Sequence, residues 1–261
     1  MLTKALILCL LSQQIEADKF SAEQQQSIVK AHNDFRRTLA KGQVRGKDDA
    51  SFPEAANMNE LVWNSELEEE AEEWSKNCKF DNPEHMDYGQ NLAGASPYYS
   101  PNEALTDKSH ILPTIFKEWW GEYETYPADV KFTFSMDTGH FTQMAWANSK
   151  KIGCAVHNCT NGQDLFGTSD WTFTVCNYLP RGNLRKQDIY KAGSSCSDCD
   201  TCNNGLCKNG ESQASEGNGS KPSKSQDSEA SEDTSGSEDS KDSEEKPFKS
   251  SDLEDSDDTD F

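Results

Sequence analysis

The cysteines constrain this chain most. It has nine in 261 residues. Cys9 falls in an apolar N-terminal stretch, and the others are Cys78, Cys154, Cys159, Cys176, Cys196, Cys199, Cys202 and Cys207. An even set of eight fits four disulfides, and disulfides persist in chains exported to an oxidising compartment. The N-terminus agrees. Lys4 supplies a short positive region, Ala5 to Leu11 an uncharged apolar run, and Ile15-Glu16-Ala17 a small residue at a cleavage point, as in a secretory signal peptide over residues 1–17. That run is too short to span a bilayer. No later stretch approaches ~18 uninterrupted apolar residues, so no membrane anchor is expected. The sequons Asn158-Cys159-Thr160 and Asn218-Gly219-Ser220 make Asn158 and Asn218 candidate glycosylation sites. The first is a poorer acceptor if Cys159 is bridged.

Composition divides the rest of the chain. From residue 211 to 261 there are 17 Asp and Glu against 5 Lys, and the only large apolar side chains are Phe248, Leu253 and Phe261. Such a segment buries too little surface to offset its ordering entropy, so a disordered, acidic, Ser-rich tail is expected. Ser243-Glu244-Glu245 has the S-x-E form of a secretory kinase site. The formal net charge of −21 excludes the basic footprint that nucleic-acid binding requires. Residues 193–210 form a Cys-rich, hinge-like segment. Its two successive CxxC steps superficially suggest zinc or redox chemistry, but no His is nearby and no βαβ pattern surrounds them. Two local disulfides among Cys196, Cys199, Cys202 and Cys207 are expected, and the three possible connectivities stay open.

Residues 18–192 are long enough for a core. Ser21 with Gln24 is a capping-box start, followed by Ile28, Ala31, Phe35 and Leu39 at helical spacing. Ser65 with Glu68 repeats the signal. Leu67, Ala71, Trp74 and Cys78 then form one stripe, and the run of Glu68, Glu69, Glu70, Glu72 and Glu73 reads as a solvated face. A third helix is expected after Pro113, through Ile115, Phe116, Trp119, Trp120 and Tyr123. Strands are expected over 151–157 and 171–178, where β-formers alternate. Helices and short strands without a regular βαβ rhythm predict an α+β fold with helices layered on a sheet.

Two segments carry a resemblance. Gly139-His140-Phe141-Thr142-Gln143-Met144-Ala145-Trp146 and Cys176-Asn177-Tyr178-Leu179-Pro180-Arg181-Gly182-Asn183 resemble the two signature motifs of the CAP superfamily: cysteine-rich secretory proteins, antigen 5 and pathogenesis-related protein 1. His32-Asn33, Leu61-Val62-Trp63-Asn64 and Gly89-Gln90-Asn91-Leu92 fit in order and separation. Together they cover roughly residues 20–207, and the Cys-rich end is most similar to nematode venom-allergen-like secreted proteins. The resemblance implies a three-layer α-β-α sandwich and the disulfides Cys78–Cys159 and Cys154–Cys176.

It also implies a cleft in which two His and two acids bind zinc. Carried onto this chain these are His85, Glu122 and His140, with Gln90 where the family usually has Glu. A neutral amide is a poorer ligand, so zinc is expected to bind more weakly than with four complete ligands, or not at all. The alternative is that His140 hydrogen-bonds Glu122 within a satisfied polar network. No cofactor is required on either reading. Every Cys after Cys9 is assigned to a disulfide and no GxSxG elbow occurs, which argues against nucleophilic catalysis. The resemblance implies a secreted, extracellular, non-enzymatic protein that binds other proteins or cell-surface receptors in recognition or host and immune modulation. Sterol or fatty-acid binding and weak metal-dependent hydrolysis are the alternatives. Tyr98 and Tyr99, in the long loop from Gly94 to Leu112, are candidate contact residues.

Overall fold

The computed structural model describes residues 19–96 and 108–208. The expected signal peptide, Tyr98 and Tyr99, the Asn218 sequon and the acidic tail lie outside these residues. Helix α1 runs Ala22–Ala40 and opens with a full capping box: Ser21 Oγ accepts from Gln24 N–H, and Gln24 Oε1 accepts from Ser21 N–H. Its inward stripe is Ile28, His32, Asn33, Arg36, Leu39 and Ala40, so three polar side chains share the buried face. Each has partners. Asn33 pairs with both backbone groups of Leu61, at 2.8 and 2.9 Å. Arg36 is fully buried and makes six hydrogen bonds to the carbonyls of Asn59, Met144, Trp146, Ala147 and Ser149.

Strand β1 (Val62–Trp63) leads into α2 (Ser65–Ser75). The cap of α2 is Asn64, whose side chain accepts from Leu67 N–H at 2.8 Å, so the expected Ser65 start is one residue late. Glu68 also departs from the solvated face. It is 2% exposed and accepts from Phe20 N–H, Trp63 Nε1 and Gln25 Nε2, fastening the N-terminal segment to α2. Burial raises its carboxyl above the usual range, against those hydrogen bonds.

Strands β2 (Gly89–Ala95), β3 (Lys151–Cys159) and β4 (Trp171–Leu179) complete a sheet of order β1-β3-β4-β2. The β1–β3 pair is parallel and the others antiparallel. Side chains alternate across it. Ile152, Cys154, Val156, Cys176 and Tyr178 enter the larger core with α1, α3 (Leu112–Gly121) and α4 (Gly139–Met144), while Ala155, Phe173 and Val175 pack under α2. This is a three-layer α-β-α sandwich. Gly153 permits the α2 contact, because a Cβ there would lie 2.2 Å from Glu68 N.

Four disulfides join Cys78 to Cys159, Cys154 to Cys176, Cys196 to Cys202 and Cys199 to Cys207. Cys154 and Cys176 face each other across β3 and β4. The Cys-rich end forms a hairpin, β5 (Cys202–Asn203) and β6 (Leu206–Cys207), turned by Asn204-Gly205 with φ of 50° and 97°. The hairpin docks on the sandwich: Leu206 is wholly buried in the main cluster, and Cys207 exchanges backbone hydrogen bonds with Met58 and Glu60.

Candidate functional site

The signature residues meet where α3 ends and α4 begins. Glu122 follows α3 directly, in a short 3-10 turn (Glu122–Glu124). One carboxylate oxygen, Oε2, accepts from the backbone N–H groups of His140 and Phe141 at 3.0 and 2.9 Å. The first N–H groups of a helix lack intrahelical partners, so Glu122 caps the short helix α4 from a distant part of the chain. The other oxygen, Oε1, binds His140 Nδ1 at 2.6 Å. A carboxylate only accepts, so Nδ1 carries the proton, and a neutral ring then has its lone pair on Nε2. Trp119 stacks on the imidazole at 5.4 Å between centroids and fixes the plane of the ring. Asn91 Nδ2 donates to the His140 carbonyl, tying α4 to β2.

The other two residues expected at this cleft have contacts of their own. Gln90, on β2, accepts from Asn82 Nδ2 and donates to Asn177 Oδ1. His85 is exposed and lines a hollow of about 440 Å³ with Glu66, Glu70, Asp87 and Tyr88. Glu122 and His140 are therefore brought together. Among the described residues no group of three or more His, Cys, Asp or Glu is placed to hold a metal. The donor set at Glu122 and His140 does not fit a tetrahedral zinc site. Both carboxylate oxygens are engaged by N–H donors, one imidazole nitrogen remains, and zinc needs at least three protein ligands.

The histidines outside the cleft divide clearly. His32 is fully buried between Ile28 O and the Tyr178 hydroxyl, at 2.9 and 3.0 Å, and burial holds its imidazole down to about 4. His110 is exposed and His157 half-buried. Asn158, the first sequon, accepts from Thr172 Oγ1 within the sheet. Sequence reasoning passed over Arg36. Its only signal was a charge next to Phe35, on a helix whose buried face also carries His32 and Asn33.

A second cavity of about 690 Å³ opens between the Lys76–Asp81 segment and the turn after β3, lined by Lys76, Lys79, Phe80, His157 and Gln163. It is remote from the signature motifs in sequence and contains neither Glu122 nor His140.

Residues 29–178 match the family described as CAP, cysteine-rich secretory protein family. Venom allergen 5 of Vespula vidua is 33% identical over 186 residues, covering 68% of this chain and 84% of that protein. Peptidase inhibitor 15 of Homo sapiens is 36% identical over 180 residues, covering 63% of this chain and 64% of that protein. Among solved structures, NaASP2 with Zn2+ has TM-score 0.63 and 31% identity, covering 72% of this chain and 96% of that one. BmVAL-1 has TM-score 0.60 and 28% identity, covering 74% and 97%. The signature segments, the sandwich that unites them, and these likenesses together place the chain in the CAP, or cysteine-rich secretory protein, family.

Proposed function

We propose that this chain is a secreted, non-enzymatic binding protein that acts outside the cell by recognising other proteins or receptors. The observation that carries this reading is the use made of the signature groups. The Glu122 carboxylate is occupied by His140 and by backbone N–H groups, and no Ser, Thr or Cys side chain bonds the imidazole among the described residues. A nucleophile-and-base arrangement needs such a contact. Here the dyad acts as a brace that fixes α4 beside α3. The eight cysteines described are paired, which suits an oxidising compartment and a rigid scaffold bearing loops for recognition.

One relative is called a peptidase inhibitor, and inhibition of an extracellular peptidase is a form of recognition that this reading includes. The test uses the full chain with its disulfides intact. Saturable, one-to-one binding to an extracellular protein, abolished by reduction, is the expected result, with a panel of secreted peptidases as the first partners tried. Ester and peptide substrates turned over by the wild-type chain, with turnover lost in Glu122→Ala, would overturn the non-enzymatic reading.

A further inference from the structure

The cavity of about 690 Å³ that follows α2 has the size of a small-molecule site. Three features of it indicate the charge of its occupant. The first lies in its wall. Gly162 lines the cavity, and a Cβ built on that residue would lie 3.1 Å from Trp171 Nε1, so the indole presents its nitrogen edge to the wall. Trp171 is 2% exposed, and this N–H has no hydrogen-bond partner among the described residues. An indole nitrogen only donates, and a buried donor left unpaired is costly. What would satisfy it is an acceptor brought in through the cavity, and the absence of a side chain at residue 162 leaves that path open.

The second feature is the orientation of Gln163. Its Oε1 accepts from Phe80 N–H at 3.0 Å, so its other amide atom, the donor Nε2, remains for a further partner. The third is charge. Lys76 and Lys79 both line the cavity. Lys76 is paired with Glu72 at 2.5 Å, whereas Lys79 has no carboxylate partner among the described residues. Asp81 is the only carboxylate among the described lining residues, and its Oδ1 accepts from Asn82 N–H at 2.8 Å. The cavity therefore offers donors and a cation, in a chain whose formal net charge is −21.

The apolar part of the lining is Phe80. Its ring packs edge-on to Trp171 at 6.3 Å and tilted to Phe173 at 5.9 Å, yet it is 40% exposed. A ring held on one side and open on the other is a platform for a second ring. The two walls are fixed to each other before anything binds. The disulfide Cys78–Cys159 joins them, and Gln163 N–H donates to the Cys78 carbonyl at 3.1 Å.

We infer that this cavity binds a small aromatic carboxylate, its acid group taken by Lys79, the Gln163 amide and the Trp171 N–H, and its ring lying on Phe80. This site does not depend on the recognition of proteins proposed above.

The test uses the full-length chain with its disulfides intact, phenylacetate as the probe and its neutral counterpart phenylacetamide as the control. Binding is followed by NMR at the assigned Trp171 indole N–H resonance. Phenylacetate should bind saturably and one-to-one, about tenfold more tightly than phenylacetamide, and should move that resonance. Lys79→Gln changes an exposed side chain outside the core, so it should fold as the wild type does. It should weaken phenylacetate about tenfold and leave phenylacetamide nearly unchanged. No saturable binding of phenylacetate overturns the inference. So does equal affinity for acid and amide, a Trp171 resonance that does not move on binding, or phenylacetate affinity unchanged in Lys79→Gln.

Discussion

His32 makes acid stability a quantitative test of the core. The ring is fully buried, with Nδ1 on the Ile28 carbonyl and Nε2 on the Tyr178 hydroxyl. The two contacts form an ordered pair if Nδ1–H donates to the carbonyl and Nε2 accepts from the hydroxyl, which is the neutral tautomer. A second proton would have to sit on Nε2, displace the Tyr178 donor and bring a charge into the core beside Arg36. Desolvation is the largest cause of its depressed pKa of about 4, against an ordinary 6.5. The unfolded chain therefore binds a proton between these values while the folded chain does not. A depressed folded pKa in a basic group means stability that is complete above about pH 6.5 and is lost as pH falls towards 4. The full gap is worth about 3 kcal/mol, and roughly 2–3 kcal/mol should disappear between pH 7 and 4.5. Glu68 works in the opposite sense, because a raised folded carboxyl favours the folded state as acid is added. The measurement is therefore a difference. Urea unfolding of wild type and His32→Gln at both pH values, disulfides intact, isolates the imidazole, since Gln keeps a donor and an acceptor but does not titrate. The variant should lose less stability on acidification, by roughly 2–3 kcal/mol. Identical losses in the two proteins would refute the claim that His32 is buried and neutral.

Three further outcomes follow from the packing. Arg36→Met should cost about 3–6 kcal/mol in urea unfolding, because it leaves buried carbonyls of Asn59, Met144 and Ser149 without the guanidinium that serves them; a loss below about 1 kcal/mol would refute that role. Gly153→Ala should cost several kcal/mol, of the order seen for overpacked cores, since a Cβ 2.2 Å from backbone Glu68 N can be relieved only by moving α2. Replacing Cys78 and Cys159 together by Ser should cost about 4 kcal/mol on the chain-entropy estimate for a closed loop this long, with a sequence separation of 81, and calorimetry of the oxidised proteins would show it.

Much of the local structure was legible in residue order. The α1 capping box, the Ile28–Leu39 stripe, the α3 aromatics after Pro113 and the two long strands all follow from short-range rules of spacing and capping. The errors have one cause. Adjacent Asn64 and Ser65 both carry a capping signal, and spacing alone does not choose Asn64, which caps α2. Glu68 was assigned to solvent because a run of acids on a helix is usually solvated, and nothing local shows that Phe20, Trp63 and Gln25 converge on one of them. Strand β2, with its Gly and Asn content, has weak β-propensity and is held by pairing with β4 along its whole length. The Asn204-Gly205 pair takes the positive φ of a hairpin turn, and the short strands on either side of it are fixed by the disulfides and by docking on the sandwich.

At the site the division is sharper. The amino-acid sequence determined which groups were available: His140, Glu122, His85 and the uncharged Gln90, in a chain whose cysteines demand oxidation. It could not determine which of them meet, because His140 lies 18 positions after Glu122 in the chain, and only the end of α3 packing beside α4 brings carboxylate and imidazole to hydrogen-bond distance. The tertiary structure alone decided that both oxygens of Glu122 serve α4 and that Gln90 is claimed by Asn177. Both outcomes depend on where three backbone segments lie in the sandwich, and that placement comes from burying apolar surface over the whole core, which no local pattern encodes.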